Sequence, residues 1–129
     1  MADDGADLAL VLMTAPDSAV AERLSKVLLE ERLVACATVM VGVLSMYYWQ
    51  GEMRADSESQ VLLKTRRSLV PRVFKRIAEL HPYDLPELVA APLEWVSEEY
   101  GKWVLEETEH QQGGGAELPR ATRVDDGPE

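Results

Sequence analysis

One cysteine, Cys36, stands among the 129 residues. No internal disulfide can form, there is no Cys-x-x-Cys motif, and this usage fits a reducing compartment. Histidine is almost as scarce: His81 and His110 are the two in the chain, and their spacing makes neither a His-x-His nor a metal-hydrolase pair. No Gly-x-Ser-x-Gly and no phosphate-cradling glycine loop occurs. Gly113-Gly114-Gly115 follows no strand and reads as linker. These absences argue against an enzyme. No apolar run reaches the length of a membrane span, and the acidic N-terminus is not a signal peptide, so the expectation is a cytoplasmic protein with no membrane contact. Basic residues are few. Thirteen Lys and Arg face 23 Asp and Glu, a net charge of −10, which argues against a nucleic-acid partner. Three acids before Leu8 and a net −2 after Glu109 leave −5 on the body between them.

What is present is a regular alternation of patterns. Leu8 to Thr14 is a short continuous apolar run, as in a strand buried on both faces. Ala15-Pro16-Asp17-Ser18 supplies a turn and a helix N-cap. Val20, Leu24, Val27 and Leu28 then follow helical spacing, with the end expected near Arg32-Leu33. Val34 to Trp49 is rich in β-branched and aromatic residues and lacks a polar face of helical period, so it reads as a strand. Gln50-Gly51 turns it into a second strand from Glu52 to Thr65. Ser68 is a candidate N-cap for a second helix, with Pro71 in its first turn and Val70, Val73, Phe74, Ile77 and Leu80 on one side. His81-Pro82-Tyr83-Asp84-Leu85-Pro86-Glu87 breaks that helix. Leu88 to Leu93 reads as a last strand and Ser97 to Glu109 as a terminal helix. Residues 1–7 and 110–129 lack the apolar content to fold, leaving residues 8–109 as one domain.

The order β-α-β-β-α-β plus a helix predicts an α+β fold, the ferredoxin-like sandwich with both helices on one face of an antiparallel sheet. The hairpin exceeds its domain. Sixteen strand residues span about 50 Å, against a domain diameter of about 33 Å. Unless Gly42 bends it sharply, an apolar ribbon overhangs with unpaired edges, which implies an obligate oligomer.

Arg32-Leu33-Val34-Ala35-Cys36-Ala37, Tyr48-Trp49-Gln50-Gly51, Glu58 through Leu63-Lys64-Thr65, the His81 to Glu87 run, and Tyr100 with Trp103 together resemble the CutA divalent-cation-tolerance family. The resemblance spans about Leu10 to Glu107. It implies a ferredoxin-like homotrimer, similar in architecture to the PII signalling proteins, associated with tolerance of copper and other divalent metals and with no established reaction. Two departures stand out: Thr38 where the family often has asparagine, and Val41 where it often has proline before the mid-strand glycine.

Cys36 and His81 are candidate metal ligands, as thiolate and imidazole suited to copper or zinc. The resemblance implies the same pair as copper ligands. Against a tight site, two donors fall short of the usual three or four, and a buried structural Cys36 is the plainer alternative. Lys64, inside an apolar strand, is either paired with Glu58 or Glu87 or holds an anion in a cleft between subunits. The prolines fix a loop in which His81, Tyr83 and Glu87 converge, giving Glu58, Lys64, Tyr83 and Glu87 as candidate ligand-binding residues. Trp49, Trp95 and Trp103 read as packing anchors and Met13, Met40, Met46 and Met53 as filler. The expectation is a cytoplasmic homotrimer that binds copper or another divalent cation through Cys36 and His81, aided by Glu87, in the cleft between subunits. Its rivals are a PII-like trimer binding a small anion or nucleotide, and a non-catalytic scaffold.

Overall fold

The computed structural model describes residues 7–108, so the expectations for residues 1–6 and 110–129 lie outside it. Strand β1 (Leu8–Ala15) leads to helix α1 (Ser18–Glu30), then β2 (Cys36–Trp49), β3 (Glu52–Arg66), α2 (Val70–Leu80), β4 (Val89–Pro92) and α3 (Glu98–Glu107). The sheet runs β2-β3-β1-β4 with every neighbour antiparallel. This is the ferredoxin-like order expected from the sequence.

Alternation sorts each strand between two faces. Val11, Met13 and Ala15 of β1 meet Val61 and Leu63 of β3 and the apolar stripes of the helices, Leu24 and Leu28 of α1 with Val73 and Ile77 of α2. Each such large side chain contributes about 1.5–3 kcal/mol by leaving water. Asp17 caps α1 by accepting from the Val20 N–H at 2.9 Å. The helix ends where Leu33 N–H reaches Leu28 C=O and Arg32 N–H reaches Leu29 C=O, both at 3.0 Å, a closure that puts Arg32 at φ 61°. Arg32 is further held by Glu107 at 2.9 Å, and Arg76 of α2 pairs with Glu31 at 2.8 Å. Ser68 does not cap α2 as expected: it lies in a 3₁₀ turn, Arg67–Leu69, and no side chain bonds to the start of α2. The preceding turn delivers the chain instead, and Pro71 removes one of the unpaired N–H groups.

The opposite face is only partly covered. Helix α3 packs over one end of it, where Val104 joins Leu8 and Ala35. Arg66 donates to Thr108 and to the Leu105 carbonyl there.

The hairpin carries the decisive irregularity. Met40 faces Gln60, but Val43 faces Glu58. Two residues of β2, Val41 and Gly42, thus stand against one of β3, a bulge with Gly42 at φ 74°. Such an insertion reverses the faces of everything beyond it. Before the bulge, Ala37 and Val39 face the helices; after it, Leu44, Met46 and Tyr48 do, opposite Ser57, Ala55 and Met53. Among the described residues no helix lies beneath them: Leu44, Met46, Tyr48 and Met53 are 62–71% exposed. The mid-strand stretch at Val41 and Gly42 is therefore a bulge and not regular strand. At the tip, Gln50 and Gly51 have φ 52° and 82°, as a two-residue I′ turn requires.

No atom lies within 4 Å of a Cβ placed on Gly42, so substitution there is opposed by backbone conformation alone. Gly42→Val is expected to lower stability by about 1–2 kcal/mol, with Gly42→Asn nearer wild type. Urea unfolding midpoints check this; equal midpoints for Gly, Asn and Val would show that the bulge is not held by its glycine.

Candidate functional site

The first site element is a brace. His81 ends α2 in an extended conformation, φ −75° and ψ 138°, the region left open to a residue before proline. Its Nδ1 accepts from the Tyr83 backbone N–H at 3.1 Å. That assigns the proton to Nε2, which donates to the Thr14 carbonyl at 2.8 Å. Tyr83, its ring 4.8 Å from that of His81, donates its hydroxyl to Glu58 Oε2 at 2.6 Å. Gln60 Nε2 donates to Met13 C=O at 3.0 Å and to Glu87 Oε1 at 3.2 Å. The two prolines shape the loop, and His81 fastens it to the end of β1.

Of these groups Thr14, Glu58, Tyr83 and Glu87 border a cavity of about 550 Å³, walled also by Tyr47, Trp49, Arg54 and residues 84–86. All its β2 and β3 residues lie on the face opposite α1 and α2, because the bulge turned Tyr47 and Trp49 that way. Tyr47 donates to Asp56 beside it.

Of the expected ligand-binding residues, Glu58, Tyr83 and Glu87 converge here. Lys64 does not. It lies six residues from Glu58 along β3, roughly 20 Å, so neither expected ion pair forms within the chain. Its ammonium instead stands 5.7 Å from the centre of the Tyr100 ring. Cys36 is opposite Lys64, with Sγ 3.5 Å from the Tyr100 hydroxyl. Cys36 and His81 are likewise apart. Cys36 aligns through Lys64 with Leu10, whereas His81 holds Thr14, four residues or roughly 13 Å away. Both nitrogens of His81 are engaged, so it has no lone pair for a metal in this arrangement. Among the described residues no three His, Cys, Asp or Glu side chains gather closely enough to hold a metal ion. Within one chain Cys36 and His81 thus do not meet, and a site joining them would draw them from two copies.

Trp49 walls the cavity in addition to marking the tip, while Trp103 docks within its own chain, 5.6 Å from Tyr100. Trp95 is 89% exposed. Thr14, Tyr47, Arg54 and Gln60 were missed by sequence reasoning. Gln60 and Arg54 share a parity with Glu58 on β3, which was the signal available; Tyr47 had none without the bulge.

Burial, then the hydrogen bond to Glu58, pushes the Tyr83 phenol well above its ordinary value of 10.0. Burial, then the Cys36 contact, does the same to Tyr100. The folded chain binds these protons more tightly than the unfolded one, so the stabilisation is complete below about pH 10 and is lost as pH rises above it. In an alkaline ultraviolet titration these phenols should ionise later than free tyrosine, and Tyr83→Phe should remove one late-ionising group. An unchanged late phase would place Tyr83 outside this network. His81→Ala orphans the Thr14 carbonyl and the Tyr83 N–H and is expected to cost about 1–3 kcal/mol, read as a lower melting temperature.

The comparisons with known proteins agree with this architecture. The model of the CutA1 divalent ion tolerance protein family matches residues 9–107. The divalent-cation tolerance protein CutA of Thermus thermophilus is 42% identical over 99 residues, covering 77% of this chain and 96% of that protein. The crystal structure of CutA1 from Oryza sativa superposes with a TM-score of 0.79 at 30% identity, over 81% of this chain and 96% of that one. A structure from Archaeoglobus fulgidus, described as a periplasmic divalent cation tolerance protein CutA, gives 0.77 at 31% identity, over 79% and 99%. With its family model matched across nearly all of the described fold, the chain belongs to the CutA1 divalent ion tolerance protein family.

Proposed function

We propose that this protein works as a non-catalytic homotrimer in the response to divalent metal ions, taking up copper or another divalent cation at clefts between copies. The observation that carries the assembly is the uncovered apolar face of the ribbon: Leu44, Met46, Tyr48 and Met53, beside Val41, are 62–71% exposed. The paired ribbon also leaves β2 as an open edge of fourteen residues. An isolated chain with such a surface is prone to association, and copies of itself offer a matching cover.

Cys36 is the one thiol in the chain, a soft donor suited to copper. It cannot hold a metal by itself, so further donors must come from a neighbouring copy or solvent, giving a weak site. His81 is better used as the brace of the loop than as a ligand. A single free thiol agrees with a reducing compartment such as the cytoplasm. Among the described residues no helix is long and apolar enough to cross a membrane.

Sedimentation equilibrium should give three times the mass of one chain, and Leu44→Asp with Met46→Asp should shift it toward one; a stable single chain in the wild type would end the proposal. Cys36→Ser should lower copper uptake in a calorimetric titration while leaving the trimer mass unchanged. Uptake equal to wild type would remove Cys36 from the site.

A further inference from the structure

The cavity under the hairpin tip carries a charge imbalance that the described residues do not resolve. Glu58, Asp84 and Glu87 line it against one cation, Arg54. Glu58 is 8% exposed, yet its hydrogen bond comes from a neutral phenol, that of Tyr83. Glu87 is likewise met by a neutral amide, that of Gln60. Among the described residues no salt bridge reaches either carboxylate. A carboxylate withdrawn from water without a cation is costly, and a cation supplied from outside relieves that cost.

The walls decide which kind of cation fits. Tyr47, Trp49 and Tyr83 present three aromatic rings to the same space. Aromatic faces attract ammonium groups and pack against their carbon substituents. A volume of about 550 Å³ lies within the range of small-molecule sites. A bare divalent ion is a poorer match: one oxygen each of Glu58 and Glu87 is already engaged, and the acids do not converge as a ligand group. An anion meets the wrong sign of charge.

We propose that this cavity binds a small organic ammonium ion, its charged nitrogen against Glu58 and Glu87 and its carbon substituents against Trp49 and Tyr47. The face that does this is opposite the one bearing Leu44, Met46 and Tyr48, so the site is compatible with covering of the apolar face by other copies. It lies at the far end of the sheet from Cys36.

Titration of the full chain with choline and with 1,4-diaminobutane, at constant ionic strength and followed by tryptophan fluorescence and calorimetry, tests the proposal. Saturable binding is expected for at least one of them, with glutarate giving none. Glu58→Gln keeps an acceptor for Tyr83 and should weaken binding about tenfold or more, a change of about 1.4 kcal/mol. Trp49→Leu, at an exposed position, should do the same. Glu79→Gln removes an equal charge from the outer surface of α2 and should leave affinity within about twofold. No saturable binding of either amine, as when a neighbouring copy fills the cavity, overturns the proposal. Equal weakening by Glu58→Gln and Glu79→Gln overturns it too, by showing general attraction to an acidic protein. Cys36 is intact in every variant, so copper uptake and sedimented mass report separately on the metal-binding trimer.

Discussion

The pairing of β2 with β3 beyond the reach of the helices is the constraint from which the remaining features follow. Backbone hydrogen bonding holds the two strands together along the ribbon, but only its first part has α1 and α2 beneath it. Where helices are present, alternation buries Val61 and Leu63 to 0% exposure. Past Gly42 the same alternation leaves Leu44, Met46 and Tyr48 facing water. Burial, unlike hydrogen bonding, requires a second layer, and the described residues supply none there. The apolar surface is thus a consequence of strand length.

The bulge gives the two faces of the ribbon different characters. By adding one residue to β2 it sends Tyr47 and Trp49 to the side of Glu58 and away from the apolar trio. A smooth strand would have placed Leu44 and Met46 over Glu58 and left the tryptophan on the opposite face. Gly42 makes the reversal inexpensive, because a positive φ carries no Cβ penalty at glycine. One backbone irregularity therefore separates the exposed apolar face of the ribbon from the acidic, aromatic-walled cavity.

Chemistry-bearing residues that lie close in the sequence reading fall at two ends of one sheet face. Glu58, Tyr83 and Glu87 meet at the hairpin end, with His81 holding their loop through both ring nitrogens. Cys36 and Lys64 meet at the other end under Tyr100 of α3. Within one chain this arrangement keeps Cys36 apart from His81 and from the acids of the hairpin end. A histidine already engaged on both nitrogens serves geometry rather than coordination.

Local pattern alone determined the element order, the ferredoxin-like topology and the hairpin tip, because helical and strand periods and a Gln-Gly turn are properties of neighbouring residues. It also brought out the family, through the Trp49-Gln50-Gly51 tip and the His81 to Glu87 loop. Tertiary structure decided which distant residues share a site. The separation of Lys64 from Glu58, and of Cys36 from His81, is a matter of strand register, and the inclusion of Tyr47 depends on a bulge that no residue type dictates. Register and face are set by packing across strands far apart in the chain, and one inserted residue reverses them.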